Sequence, residues 1–367
     1  MGVKSTDKGN KSAFWDFENT SGKRKYKNTH ALGYGWPAPA SATGGTKVVE
    51  GLYTIHHFPN PSYTENAEAT FVIADLEGSI DVDYIVIGGG GGGGAADPGA
   101  FAAGGGGAGT VHVRTGHPIT NGTFPVISGK GGTNSAATPT VAIGGLFYNN
   151  AGSGQDGVAS TCFGLTAPGG GGGGGTGTSG AVGGSSGGGS HGVATVNTAT
   201  GDDWPGAAPL VSPTDGWGNP NHAGASATFA GGGGGGAGSG GPPATRNGGA
   251  GIDLSPMVGT TFGGAPAADD NTPGGGYFAG GGGAGYYGGP KASGGSGGGG
   301  PSGYAAPTAG GDGARALLST GSGGGGSDGS SGSANPWNDP TQPSGTFGTG
   351  GGGGPGIVII RYLTADL

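Results

Sequence analysis

Two apolar runs, each fused to a run of glycine, frame the chain. Val82-Asp83-Tyr84-Ile85-Val86-Ile87 passes directly into seven consecutive glycines, Gly88 to Gly94. Near the other end the order is mirrored: Gly350 to Gly354, then Pro355-Gly356, then Ile357-Val358-Ile359-Ile360-Arg361-Tyr362. Both runs are rich in β-branched and aromatic residues, which is the composition of strands. One strand leaves for glycine territory and the other returns from it. The pattern therefore predicts a strand pair that roots a glycine-rich projection. Further short runs bounded by turn residues read as strands: Tyr53 to Phe58, Ala69 to Ala74, Thr110 to Val113, Thr123 to Ile127, Leu146 to Tyr148 and Cys162 to Leu165. No segment carries helical i, i+3, i+4, i+7 spacing over three turns; Ala314 to Leu318 comes nearest and is too short. Strands without helices predict a sandwich or barrel.

Composition changes this picture in one way. Glycine makes up 103 of 367 residues, charged residues 10% and apolar residues 32%, against an ordinary glycine share of about 7% and a charged share of about 25%. A conventional core cannot extend over the whole length. Disorder is one outcome for such a sequence, but the chain lacks the high charge that usually accompanies it. The other outcome uses the missing side chain. In the polyproline-II conformation the backbone makes no internal hydrogen bonds, so every N–H and C=O points outward and needs a partner. When a rod is glycine on every face, parallel and antiparallel neighbours can approach and exchange those bonds, helped by weak Cα–H···O contacts. The glycine runs follow no strict Gly-X-Y period, which excludes collagen.

The expected fold is therefore all-β: a small antiparallel, jelly-roll-like β-sandwich root and a polyglycine-II helix bundle, with essentially no α-helix. Residues 1–50 read as an N-terminal attachment region. Residues 51–168 read as the sandwich, completed by a C-terminal strand at 357–363. Residues 169–356 read as the glycine bundle, with Gly169–Gly175, Gly231–Gly236, Gly280–Gly283, Gly297–Gly300 and Gly323–Gly326 as rods.

The net charge of −8 argues against nucleic acid as a partner, and the single Cys162 excludes an intrachain disulfide framework. No apolar h-region follows the first eight residues, and no apolar run reaches a membrane span; synthesis in a cytoplasm is the expectation. Residues 21–27, Ser-Gly-Lys-Arg-Lys-Tyr-Lys, concentrate positive charge among Phe14, Trp15, Phe17, Tyr34 and Trp36, a composition suited to an interface.

Nucleotide-binding motifs are only mimicked. The glycines after Ile87 are followed by Ala95-Ala96-Asp97-Pro98-Gly99 and not by a helix, and Gly follows Lys130 where a P-loop needs Ser or Thr. The seven histidines show no metal-ligand spacing and read as surface residues, with strand alternation putting His112 on a solvent face. No catalytic constellation can be assembled, and neither an enzyme nor a cofactor is expected.

The loops between glycine runs carry the chemistry. Asp202, Asp203 and Trp204 are followed by Trp217; Asp269 and Asp270 precede Tyr286 and Tyr287; Trp337 sits in a last Asn- and Pro-rich stretch. Carboxylates and flat aromatic faces suit recognition of a glycan: the former accept hydrogen bonds from hydroxyls and the latter offer stacking surface. The same aromatics could instead only lid the ends of the rods.

Residues Asp83 to Ile87 before polyglycine, then Gly106 to Val111, Pro125 to Gly132, Phe163 to Gly169 and the closing Gly356 to Tyr362 form an ordered set. It resembles the glycine-rich domains of tailed-bacteriophage tail fibres and tail-tip adhesins over roughly residues 50–363. The resemblance implies a non-enzymatic virion protein at the tail periphery. Residues 1–50 would join it to other tail proteins, and its loops would meet a host cell-surface glycan or outer-membrane protein. The receptor-binding residues implied are Trp204, Trp217, Trp337, Tyr286, Tyr287, Asp202, Asp203, Asp269 and Asp270. A homotrimer is one assembly this reading allows. The second reading is a purely structural filament or appendage subunit whose loops cap the rods.

Overall fold

A computed structural model describes residues 39–96, 102–135, 138–143, 146–150, 152–206, 211–224, 229–242, 245–266, 272–287, 289–303, 311–329 and 348–367. Strands β1 (Ser41–Thr43), β4 (Ala67–Ala74), β7 (Gly122–Ser128), β10 (Ser160–Cys162) and β11 (Leu165–Ala167) form one antiparallel sheet in the order β1-β4-β7-β10-β11. A second runs β2-β3-β14-β5-β6, from β2 (Thr46–Glu50), β3 (Tyr53–Pro59), β14 (Ile357–Leu363), β5 (Ile80–Ile87) and β6 (Val111–Ile119). The expected root pair is adjacent and antiparallel at the centre of this second sheet, with Ile357 opposite Ile87. Two small pairs complete the strands, β8 (Thr138–Ile143) with β9 (Leu146–Asn150) and β12 (Ile252–Asp253) with β13 (Tyr277–Phe278). One helical turn, α1 (Ser255–Val258), follows β12. The chain is thus nearly all β, and no helix among the described residues is long and apolar enough to cross a membrane.

Alternation along the central strands fills two cores. Val82, Tyr84 and Val86 with Val358, Ile360 and Tyr362 face the first sheet, where they meet Phe71, Ile73, Val126 and Cys162. Ile85, Ile87, Ile357 and Ile359 point the other way, into a second core with Trp217, Ile252, Leu254 and Phe278. Two expectations need adjustment here. Ser41–Glu50 supply edge strands to both sheets, so the folded body starts before residue 51. Cys162 to Leu165 is not one strand but a tight turn, with Phe163 and Gly164 at φ 48° and 78° joining β10 to β11.

The glycine rods begin where β5 ends. In residues 88–95 successive amides point to three different neighbours. Gly88, Gly91 and Gly94 donate to the carbonyls of Thr110, Gly107 and Gly104; Gly89, Gly92 and Ala95 to Val158, Gln155 and Gly152; Gly90 and Gly93 to Gly354 and Gly351, all at 2.8–3.1 Å. The exact period of three is that of the polyproline-II helix. Three further rods close the ring. A Cβ on Gly88, Gly91 or Gly94 would overlap the carbonyl of Pro168, Gly171 or Gly174, and one on Gly89 or Gly92 that of Lys130 or Thr133. On Gly90 or Gly93 it would strike Ser322 or Gly325. These rods return bonds, Gly170 and Gly173 donating to Gly89 and Gly92, and Gly324 to Gly91. Over Gly88–Gly94 the rod therefore has six neighbours and no face open to a side chain. Rod 102–110 repeats the pattern with Gly174, Gly171 and Pro168 on one side and Ser327, Gly324 and Gly321 on another. Both rods precede residue 169, so the division expected at 168 separates rods that pack together. The run at Gly297–Gly300 is not one rod, because Gly297 and Gly298 turn the chain at φ 92° and 99°.

Three of the histidines depart from the sequence reading. His56, His57 and His112 are at most 2% exposed, because the second sheet is covered on both faces. His57 stacks on Phe262 with ring centroids 3.7 Å apart, and His56 Nδ1 lies 2.7 Å from the Gly44 carbonyl. Burial, which penalises the charged imidazole, lowers all three and takes His57 and His112 down to about 4. The unfolded chain takes up these protons below about pH 6.5 while the folded chain resists until about pH 4, so stability is full above the first value and falls toward the second.

Two outcomes follow from this packing. Gly91→Ala costs at least about 3 kcal/mol in urea unfolding, the top of the over-packing range, because only backbone could move aside; Gly51→Ala, with open space at its Cβ, costs about 1 kcal/mol from its positive φ alone. Equal effects contradict the rod packing. Stability drops by about 3 kcal/mol for each of His57 and His112 between pH 7 and pH 4. His57→Phe, which keeps the stack, flattens that slope in urea midpoints taken across the range; an unaltered slope contradicts the assignment.

Candidate functional site

Each rod has a root end at the sheets and a tip end away from them, and the direction of the chain decides where its loops emerge. Gly88 and Thr110 lie at the root, Gly94 and Gly104 toward the tip. Residues 231–237 run back toward the root and residues 279–285 outward, as the bonds Gly231 to Gly285 and Ala237 to Ala279 show.

This parity splits the expected site. Trp217 belongs to the root. Its amide donates to the Val111 carbonyl at 2.9 Å and its carbonyl accepts from the Val111 amide, so it covers the open edge of β6. Its indole is 2% exposed within the second core, where it is a packing group closed to a ligand. Trp204 packs partly buried on the same core, and its Nε1 finds no partner among the described residues. Asp202 and Asp203 are exposed beside it; Asp202 is held through its backbone by Gly216 and Gly218. Trp337, Asp269 and Asp270 lie outside the described residues.

Tyr286 and Tyr287 stand at the tip, directly after Gly285, whose amide donates to the Ala103 carbonyl. From Ala103 to Val111 a rod rises roughly 25 Å, so the two tyrosines and the tryptophan pair cannot share one ligand-sized site. At the tip other residues join them. The Arg246 guanidinium lies 4.0 Å above the Tyr286 ring, and the buried Arg246 Nε atom finds no partner among the described residues. Phe229 stacks on His191, centroids 4.9 Å apart and planes 18° from parallel, and its carbonyl accepts from the Tyr287 amide. Phe229 and Tyr287 remain 47% and 40% exposed. Phe229 and Arg246 both occupy the left-handed backbone region, φ 51° and 59°, a conformation that costs of order 1 kcal/mol for such residues and is often retained where function needs it.

The result is a row of flat faces with one guanidinium, able to stack on a sugar ring or an apolar side chain and to donate to an oxygen. Sequence reading missed Phe229, His191 and Arg246, although each adjoins a glycine rod. Cys162 is buried with its thiol pushed up to about 12 by desolvation, which suppresses the nucleophilic thiolate. Among the described residues no group of three His, Cys, Asp or Glu could hold a metal.

The model of a glycine-rich domain family matches residues 65–363. The match covers most of the chain, which belongs to that family. No curated protein matches it.

Because Trp217 packs in the second core, Trp217→Ala costs about 3–5 kcal/mol, read as a lower urea midpoint. An unchanged midpoint would return the indole to the list of ligand contacts.

Proposed function

We propose that the chain is a virion structural protein of a tailed bacteriophage, a tail fibre or tail-tip adhesin that attaches the particle to its host. The sandwich roots a stiff glycine slab, and the slab presents its tip loops to a cell-surface glycan or outer-membrane protein. Residues before the sandwich join other tail proteins. One observation carries the reading: exposed Phe229, in a left-handed conformation, displayed beside Tyr287 on a scaffold whose backbone is hydrogen-bonded in every direction. Binding residues on loops held by a rigid body are the usual arrangement for recognition. The order of strand and glycine motifs, which resembles that of phage adhesins, supports it.

The second reading, a structural filament or appendage subunit, draws on the internal contacts of the same residues. Arg246 on Tyr286 and His191 on Phe229 would then be caps that cover rod ends.

Cell binding separates the two. Fluorescently labelled full-length protein binds susceptible bacteria, and Phe229→Ala with Tyr287→Ala weakens binding at least tenfold while the melting temperature is retained. Binding that survives both substitutions, or none by the unaltered protein, favours the subunit reading.

A further inference from the structure

The sandwich end that faces away from the rods carries a cavity of about 510 Å³ between the β3–β14–β5 strand ends and the 76–81 turn. Its walls include Tyr53, Glu77, Asp81, Asp83, Arg361 and Asp366. The only cation of that lining is already matched: Arg361 Nη2 pairs with Asp83 Oδ2 at 2.9 Å, and its guanidinium lies 4.5 Å over Tyr53. Glu77, Asp81 and Asp366 are exposed, which leaves the cavity with three carboxylates that no cation among the described residues pairs.

An apolar patch borders it. Leu52 and Leu363 are 75% and 40% exposed. Leu363 pairs with Tyr53 across β14 and β3 and lines the cavity, and the Leu52 carbonyl accepts from the Thr364 amide. Large apolar side chains grouped beside unmatched charge mark an interaction surface.

The chain itself enters the fold at this place. β1 pairs antiparallel with β4, Ser41 opposite Ala74, and Ala40 packs against the core that includes Leu76, a residue of the cavity wall. Twelve residues upstream of residue 39 ends the most basic segment of the protein, Lys23-Arg24-Lys25-Tyr26-Lys27, flanked by Trp15, Phe17, Tyr34 and Trp36. Cations with aromatics complement carboxylates beside an apolar patch. A twelve-residue tether reaches at most about 40 Å, which holds the segment near the cavity at a millimolar effective concentration.

We propose that the acidic cavity and the patch beside it are the docking site for the chain's own basic segment, Lys23 to Lys27, folded back in cis. Lysines meet Glu77, Asp81 and Asp366 while flanking aromatics cover Leu52 and Leu363. The site lies at the opposite end of the molecule from the aromatic tip and stands or falls without reference to a receptor.

Zero-length carbodiimide cross-linking of full-length protein, mixed from equal amounts of ¹⁴N- and ¹⁵N-labelled chains, tests it. Cross-links join Lys23, Lys25 or Lys27 to Glu77, Asp81 or Asp366, involve a single isotope, and fall at least fivefold in 0.5 M NaCl. In Glu77→Gln/Asp81→Asn, with both sites on the surface, trypsin cuts at residues 23–27 at least fivefold faster than in the unaltered chain while the melting temperature holds. Absence of these cross-links, or cleavage at an unchanged rate, overturns the proposal. Mixed-isotope pairs at their statistical share overturn it too, by giving the site to a second copy.

Discussion

The whole structure depends on backbone amides satisfying one another across rods that carry no side chains. A polyproline-II rod has no internal hydrogen bonds, so all its polar groups must be matched by neighbours or by water. Residues 88–95 meet that demand with three sets of partners at a spacing of three. Each bond contributes only about 1 kcal/mol net, and each glycine loses more backbone entropy than any other residue. Order in one rod is therefore worthwhile only when its neighbours are also ordered. The strands supply the seed: β5 and β14 hold Gly88 and Gly356 in register at the centre of a sheet packed on both faces.

The few larger groups inside the slab obey the same constraint. Ser322 takes a rod position and returns its hydroxyl to the backbone, donating to the Gly297 carbonyl and accepting from the Gly280 amide. Ser327 accepts from the Ala96 amide in the same way. Alanines at 95, 96 and 108 are wholly buried. The rings of Trp204 and Trp217 gather at the root end of the rods and those of Phe229, Tyr286 and Tyr287 at the tip end, and these are the two places where chemistry collects.

Much of the fold was written in the pattern of apolar runs. Val82–Ile87 and Ile357–Tyr362 are continuous rather than alternating, as strands covered on both faces must be, and they pair as their mirrored glycine runs imply. The same continuity explains why the histidines misled: alternation assigns His112 to solvent only if one face of the sheet is wet. Rod adjacency was not readable, because glycine offers no side chain to encode a partner. That blindness also hid the site. Trp217 and Tyr286 look equivalent beside glycine runs, and only the direction of each rod sends one into the core and the other to the tip. Phe229 and Arg246 went unremarked for the same reason.

The central claim, that bare backbone here packs as a hydrogen-bonded lattice, is most directly met by amide hydrogen exchange followed residue by residue. Amides of Gly88 to Ala95 and Gly104 to Thr110 should be protected as strongly as those of β5 and β14, and should open with them in one cooperative step. Exchange of the glycine amides at free-chain rates, with the strands still protected, would contradict it.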